Sequence, residues 1–181
     1  PMTPAIKHSL GQQTEPGTLR MERNLPAPID RVWAYLTDPA KRAAWLAGGT
    51  MARQPDEVFE MRFEHTKLTD EEAPERFAGY RKPHLQQSKL VRIEAPPLMV
   101  ISWDEGPNAS EVTFELAPQG DDATRLVLTH RRLRDRKETV SVASGWHAHI
   151  DVLDQVLQGR KPEGFWTGLE AVEAVYETHI R

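Results

Sequence analysis

Three histidines are the residues of this sequence whose type and position best suit ligand binding or proton transfer. His65 and His130 each follow an alternating apolar run, and His149 lies in the middle of an apolar stripe at helical spacing. Each is therefore expected on the face that its strand or helix turns toward the core. Because imidazole titrates near neutral pH and can donate or accept, converging histidines could orient a ligand carboxylate or hydroxyl, move a proton or bind Zn²⁺.

The spacing of these histidines does not predict a metal site. Positions 65, 130 and 149 form no local ligand signature. On a helix His147 and His149 would point about 200° apart, so they cannot easily share an ion, and His147 is expected to face solvent or the sheet edge. The alternative interpretation of the three inward histidines is structural, as semi-buried side chains hydrogen-bonded to the backbone. We predict no metal and no cofactor.

The carboxylates and the catalytic motifs give no sign of catalysis. Asp104, Glu105, Asp151 and Asp154 could act as acid or base, but nothing in the pattern places them in a pocket. A solvated face or a salt bridge is expected instead, since charged side chains are mostly exposed. The G-x-S-x-G elbow, the phosphate-binding G-x-x-x-x-G-K-S/T, H-E-x-x-H and G-x-G-x-x-G are all missing. We predict no catalytic residue.

Aromatic and aliphatic side chains would form the rest of a binding site around the histidines. Such side chains pack in a core by default, and only some of them can touch a ligand. The side chains predicted to contact a ligand are Trp33, Met61, Phe63, His65, Trp103, Phe114, His130, Trp146, His149 and Leu153.

Alternating apolar residues predict the strands that position these side chains. Period-two patterns are typical of half-buried strands, and turn-forming residues at 118–122 make the last two strands a hairpin. The predicted strands span residues 19–25, 58–65, 89–94, 98–103, 111–116 and 124–131. The polar segment 66–88 is long enough to be a lid or a binding loop, and we expect the mouth of any pocket there.

Helical spacing of apolar residues predicts four helices. The first begins after Pro28, a second spans residues 41–46, and the last lies within 162–180, packed on the outside or on a second subunit. The strongest signal is the stripe of a long helix that Gly159 ends. Strands gathered before a terminal helix favour an α+β fold, because a parallel sheet would need a helix between each pair of strands.

Composition and charge are those of an ordinary globular protein. The chain has 181 residues, 39% of them hydrophobic and 28% charged, which suits one domain. Residues 1–18 are predicted to be a poorly ordered lead-in, and residues 19–181 a single domain. A net charge of −4 provides no positive field for nucleic acid, so we expect none as a partner. The sequence has no cysteine, and no run of apolar residues reaches the roughly 20 that a membrane span needs. We expect a cytoplasmic protein without membrane insertion.

Several blocks in the same order resemble the START-like (SRPBCC) superfamily, and within it the bacterial relatives of the activator of the heat-shock chaperone ATPase. The blocks are residues 27–39, Trp45, 96–103, 111–116, 124–130 and 145–149, within roughly 19–166. The resemblance implies a helix-grip fold like that of the birch pollen allergen, in which six or seven antiparallel strands curve around a C-terminal helix. It also implies a cavity for a lipid, sterol, polyketide or other apolar ligand. Pro55-Asp56-Glu57 stands where many relatives have a Gly-Gly pair.

The resemblance does not by itself predict chaperone binding. The eukaryotic co-chaperone relies on an additional chaperone-binding domain, and 181 residues leave no room for one. The leading hypothesis is instead a non-catalytic protein that binds a small apolar molecule. One alternative is an enzyme of the cyclase or dehydratase kind that uses a pocket histidine as general acid or base. Another is an interaction module whose apolar face at 165–176 forms a homodimer or meets a partner.

Overall fold

Eight antiparallel strands form one curved sheet, which is the main layer of the protein. The structure is a computed structural model and describes residues 6–181. The strands are β1 (Gln12–Glu15), β2 (Thr18–Leu25), β3 (Gly48–Gly49), β4 (Val58–Phe63), β5 (His84–Glu94), β6 (Leu98–Ser102), β7 (Glu111–Pro118) and β8 (Thr124–Arg131). Their order across the sheet is β1-β2-β8-β7-β6-β5-β4-β3. Every neighbouring pair is antiparallel, as the hairpin pattern predicts.

Four α-helices and two stretches of 3₁₀ helix complete the fold. They are α1 (Ile29–Thr37), α2 (Pro39–Arg42), the 3₁₀ stretches His65–Lys67 and Glu75–Arg81, α3 (Arg136–Leu157) and α4 (Phe165–His179). Among the described residues, none of these helices combines the length and the apolar character that crossing a membrane requires.

The long helix α3 is the element that the sheet grips. The Asp135 side chain accepts a hydrogen bond from the Glu138 backbone N–H at 2.8 Å, which caps its first turn. Gly159, with a φ of 73°, follows its last turn, since that backbone conformation suits glycine. The helix packs against β2 and α4, and Ile150 and Leu153 are fully buried. The predicted α+β helix-grip fold is confirmed, with eight strands instead of six or seven.

The two extra strands are short and lie at the two edges of the sheet. β1 falls within residues 1–18, where the sequence predicts a poorly ordered lead-in. Gly17, with a φ of 82°, reverses the chain so that Gln13 pairs with Leu19 of β2. The lead-in prediction is therefore wrong for the strand residues. Residues 1–5 of that segment lie outside the described residues.

Near α2 the elements differ from the predicted ones. The helix spans Pro39–Arg42 instead of 41–46, and Gly48–Gly49 forms β3 instead of ending a helix. A Cβ at Gly49 would lie 2.2 Å from the Glu60 carbonyl oxygen, so this strand contact requires glycine. The side-chain pattern could not show this, because the decisive contact is between two backbones.

The strand ends next to residues 66–88 also differ from the predicted ones. β4 ends at Phe63, so His65 begins a 3₁₀ helix instead of ending a strand. β5 begins at His84, inside the predicted loop, because residues 84–89 pair with β4 along its whole length. The side chain of His65 nevertheless turns inward and is buried.

Candidate functional site

A cavity of about 240 Å³ lies between the sheet and α3. Phe63 of β4, Trp103 just after β6, and His130 of β8 line it from the sheet, and Trp146 and His149 line it from α3. Neighbouring rings are in contact: the centroids of Trp103 and Trp146 are 5.0 Å apart, and those of Phe63 and Trp103 are 6.0 Å apart. A mainly aromatic wall with a few polar groups is typical of a small-molecule site.

The other side of the cavity is bordered by α4 and the second 3₁₀ stretch, which we call the mouth segment (Glu75–Arg81). Phe77 of the mouth segment stacks on Trp166 of α4, with centroids 5.3 Å apart and ring planes 26° apart. Arg76 donates to the Glu173 carboxylate at 2.6 Å. This segment lies in the stretch where the sequence predicts the mouth of a pocket.

His130 is fully buried and has both ring nitrogens occupied. Its Nδ1 accepts a hydrogen bond from the Trp146 indole N–H at 3.0 Å, and its Nε2 lies 2.8 Å from the Ser110 hydroxyl. An indole N–H can only donate, so Nδ1 carries no proton and Nε2 donates to Ser110. Burial lowers the pKa of His130 to about 4. His130 therefore cannot take a proton from Ser110, which removes a Ser-His nucleophile.

His149 has one nitrogen occupied and one available. Its Nδ1 lies 2.8 Å from the Trp45 carbonyl oxygen, which can only accept, so Nδ1 carries the proton. Nε2 is then an acceptor, and it makes no hydrogen bond within the part of the chain that the structure describes. Burial lowers the pKa of His149 to about 4, against the opposing effect of the Trp45 hydrogen bond. The ring is thus a neutral acceptor in the cavity wall.

The Trp45 carbonyl is held in place by the chain around it. The Trp45 indole N–H donates to the Tyr35 carbonyl at 2.8 Å. Next to it, the buried Arg42 guanidinium donates to the carbonyls of Ala47, Gly48 and Thr50 at 2.7–2.8 Å. Because these bonds fix the α2–β3 connection, they also fix the acceptor that orients the His149 ring.

His65 lies in a cage of rings. Its centroid is 5.3 Å from those of His149, Phe165 and Trp166, and 5.1 Å from that of Tyr80. Burial, and then repulsion by His149 and His84, lower its pKa to about 3. The structure thus brings His65 and His149 together, whereas His130 contacts Trp103 and Trp146 instead.

Six of the ten predicted contact residues line the cavity: Phe63, His65, Trp103, His130, Trp146 and His149. The other four lie elsewhere. Phe114 is buried behind Trp146, at 5.8 Å between centroids, and Met61 and Leu153 are fully buried core residues. Trp33 lies beside Met51 in a separate surface depression. A strand or helix pattern identifies the inward face, but which inward side chain meets the cavity depends on the curvature of the sheet.

Several lining residues come from α4, which the sequence places outside the pocket. They are Phe165, Trp166, Leu169 and Glu173. The sequence feature that could have identified them is the apolar spacing of α4, which predicts a buried face but not the element that covers it. That face is covered by the same chain, since Phe165, Trp166 and Leu169 are buried.

The prediction that His147 faces solvent or the sheet edge is wrong. His147 is 1% exposed, and its Nδ1 lies 2.9 Å from the Tyr176 hydroxyl. That hydroxyl accepts a hydrogen bond from the Gly11 backbone N–H at 2.8 Å, and it can donate to or accept from the His147 ring. Helix α4 covers the side of α3 that would otherwise be exposed, and Tyr176 supplies the polar partner that His147 needs when buried.

Two of the carboxylates considered in the sequence have polar partners away from the cavity. Asp151 forms an ion pair with Arg23 at 2.8 Å, and Asp154 lies 3.2 Å from the His8 ring. Asp154 is largely buried, which the solvated-face interpretation did not anticipate. Among the described residues, no three histidine or carboxylate side chains converge as possible metal ligands.

Comparisons with known proteins agree with this architecture. A family model described as "Activator of Hsp90 ATPase homolog 1-like protein" matches residues 26–158. The protein encoded by gene BPP1335 of Bordetella parapertussis, a solution NMR structure, is 46% identical, with a TM-score of 0.80 over 97% of this chain and 93% of that chain. CalU16 from Micromonospora echinospora is 25% identical, with a TM-score of 0.64 over 92% of each chain. The comparison with curated proteins gave no match.

A more distant structure supports the fold alone. Protein MLL2253 from Mesorhizobium loti is 19% identical, with a TM-score of 0.60 over 78% of this chain and 97% of that chain. Strand β1 and helix α4 lie outside the residues that the family model matches, although α4 forms part of the cavity wall. Because the model covers more than half of the chain, the protein belongs to the Activator of Hsp90 ATPase homolog 1-like family, a START-like (SRPBCC) family.

Proposed function

We propose that this protein binds a small apolar molecule in the cavity between the sheet and α3, without transforming it. The observation that carries the proposal is the cavity itself, about 240 Å³ in volume and walled mainly by aromatic rings. No lysine or arginine of the described chain is among its lining residues. Burying a ring against such a wall contributes favourable free energy roughly in proportion to the apolar area removed from water.

The cavity suits a ligand of modest size. Its volume of about 240 Å³ lies just below the range of roughly 300 to 1,000 Å³ that is usual for drug-sized ligands. We therefore expect a molecule of one or two rings, and not a long-chain lipid.

Gly145 of α3 supports the idea that this space is kept open. It lines the cavity, and a Cβ built on it would meet nothing within 4 Å. Glycine in a helix interior costs about 1 kcal/mol relative to alanine. Since packing does not demand glycine here, we infer that the position serves to leave room for a ligand.

A catalytic use of the cavity is the second candidate. Nε2 of His149 is a free acceptor in the wall, and the His65 ring is 5.3 Å away. A cyclase or dehydratase would use such a nitrogen as general base. The pKa of about 4 makes His149 a weak base near neutral pH, which favours binding over proton transfer.

A homodimer stays a prediction, and chaperone binding is not predicted. The surface expected to mediate dimerisation, residues 165–176 of α4, carries apolar side chains that are buried within one molecule. A dimer would therefore need a different surface. We expect the cytoplasm as location, as the sequence suggests.

Native mass spectrometry of protein purified from its own host would test the proposal. We expect a co-purifying mass that denaturation releases. In Gly145→Leu the new side chain occupies the cavity, so the mass should be lost, whereas the matched variant Gly168→Leu, at a helical glycine of α4 with equal room, should keep it. Equal retention by both variants would contradict binding in this cavity. If the purified protein carries no bound molecule, and if incubation with host extract yields a chemically changed product, the enzyme hypothesis is favoured instead.

A further inference from the structure

We infer that the ligand is a neutral ring compound that carries a hydrogen-bond donor, such as a phenolic hydroxyl, and that the donor is bound by Nε2 of His149. This inference rests on the proposed function and names its ligand class. It follows from which polar atoms around the cavity can still donate or accept a hydrogen bond once their bonds within the protein are made.

His149 can only accept at its cavity-facing nitrogen. Donation of Nδ1–H to the Trp45 carbonyl at 2.8 Å leaves Nε2 with a lone pair. The ring is 8% exposed and packs against Phe165, with centroids 4.9 Å apart, and a flip would place a carbon where Nδ1 bonds to Trp45. Since Nε2 has no partner in the described chain and is not among its fully buried polar atoms, a ligand donor in the cavity can reach it.

The remaining polar groups of the wall disfavour an anion, although His65, His84 and Ser141 can also donate to an acceptor elsewhere on the ligand. Glu173 contributes a carboxylate, and only its bond from Arg76 offsets that charge. The Gln86 side-chain N–H₂ donates to Ser88 at 3.2 Å, which leaves its carbonyl oxygen and its second N–H. His130 has no free nitrogen, since Trp146 and Ser110 occupy both. No lysine or arginine lines the described wall for a ligand carboxylate, and Arg76 is already paired with Glu173, whose own charge would repel an anion.

The rings around His149 favour a flat ligand. Phe63, Trp103 and Trp146 form one continuous aromatic surface, and His65, Phe165 and others form another. Aromatic groups gain about 0.5–1.5 kcal/mol from offset or edge contacts in addition to their burial. A planar molecule with one polar edge could satisfy the rings and Nε2 together.

Three probes of one size distinguish the possibilities: 2-naphthol, which has a donor, 2-methylnaphthalene, which has none, and 2-naphthoate, which is an anion. Calorimetry with the full chain should show 2-naphthoate binding at least about tenfold more weakly than 2-naphthol. In His149→Asn, whose amide can still donate to Trp45 but does not reach the Nε2 position, the preference for 2-naphthol over 2-methylnaphthalene should fall about two- to tenfold. His149→Gln restores an acceptor near that position and should retain the preference.

A spectroscopic measurement on the unchanged protein covers the case that a variant does not fold. The ¹⁵N resonance of His149 Nε2 should move on addition of 2-naphthol, and not with 2-methylnaphthalene. If both neutral probes bind with no such shift and no effect of His149→Asn, or if the anion binds most tightly, the ligand class is wrong while binding in the cavity stands. If none of the three probes binds, the proposed function fails together with this inference.

Discussion

Individual buried histidines in this protein have their protonation determined by partners whose hydrogen-bonding role cannot change. Trp146 must donate to His130, and the Trp45 carbonyl must accept from His149. At His147 the partner is the Tyr176 hydroxyl, which can donate or accept. Burial raises the pKa of that phenol to about 12, so it keeps its proton at neutral pH. These bonds hold neutral imidazoles in place without any metal or carboxylate contact at hydrogen-bond distance.

Tyr176→Phe tests this arrangement at a single residue. Loss of the hydroxyl leaves both the Gly11 N–H and the His147 Nδ1 without a partner in a buried place. We expect a loss of about 1–3 kcal/mol in the free energy of unfolding, measured by urea titration. The control is Tyr35→Phe, since Tyr35 uses its backbone carbonyl and not its hydroxyl to bond Trp45. Equal stability of the two variants would contradict a role for the Tyr176 hydroxyl.

Among the elements, α4 and the mouth segment work together as the closure of the cavity. Glu71, just before the mouth segment, accepts hydrogen bonds from the backbone N–H groups of Trp166 and Thr167, which caps α4. Arg76 and Phe77 then contact Glu173 and Trp166 further along that helix. Because none of its residues is buried, the mouth segment is the element that we expect to move when a ligand enters.

Phe77→Ala measures this closure. Without the stack on Trp166, the dissociation rate of bound 2-naphthol, followed by stopped-flow fluorescence, should rise about two- to tenfold. Leu85→Ala removes a side chain of β5 that is 52% exposed, and it should leave the rate unchanged. If the two variants released the probe equally fast, ligand exit would have to follow another route.

At the scale of the whole molecule, four buried histidines couple stability to pH. His65, His130, His147 and His149 have pKa values of about 3 to 4 in the folded protein, against 6.5 for exposed histidine. Between these values the unfolded chain binds protons that the folded chain excludes. The free energy of unfolding is therefore unaffected above pH 6.5, and it decreases as the pH falls from 6.5 toward 4.

Urea titrations at several pH values between 7.5 and 4.5 would show this dependence. Each of the four histidines contributes a decrease of up to about 1.4 kcal/mol per pH unit below 6.5. His65→Phe removes one such group, so its stability should depend less steeply on pH than that of the unchanged protein. His179→Gln, which replaces an exposed histidine, should leave the dependence as it was. A flat profile in the unchanged protein would show that these imidazoles titrate normally.

The sequence alone determined the α+β class, the helix grip and the inward face of most elements. Alternation in β4 and β8 and the stripe in α3 correctly turn Phe63, His130 and His149 inward, because side-chain period follows directly from backbone geometry. Those patterns are local, so they can be recognised without knowledge of the fold. They also correctly predicted six residues that line the cavity.

Only the tertiary structure decided what the other faces meet. His147 is on the polar side of α3 by pattern, yet α4 buries it with Tyr176. Phe77 and Trp166 are 89 positions apart, and no spacing in the chain predicts their stack. Periodicity reveals which side of an element avoids water. Long-range contacts decide which neighbour covers it, and here they made a polar helix face part of the interior and an outer helix part of the cavity.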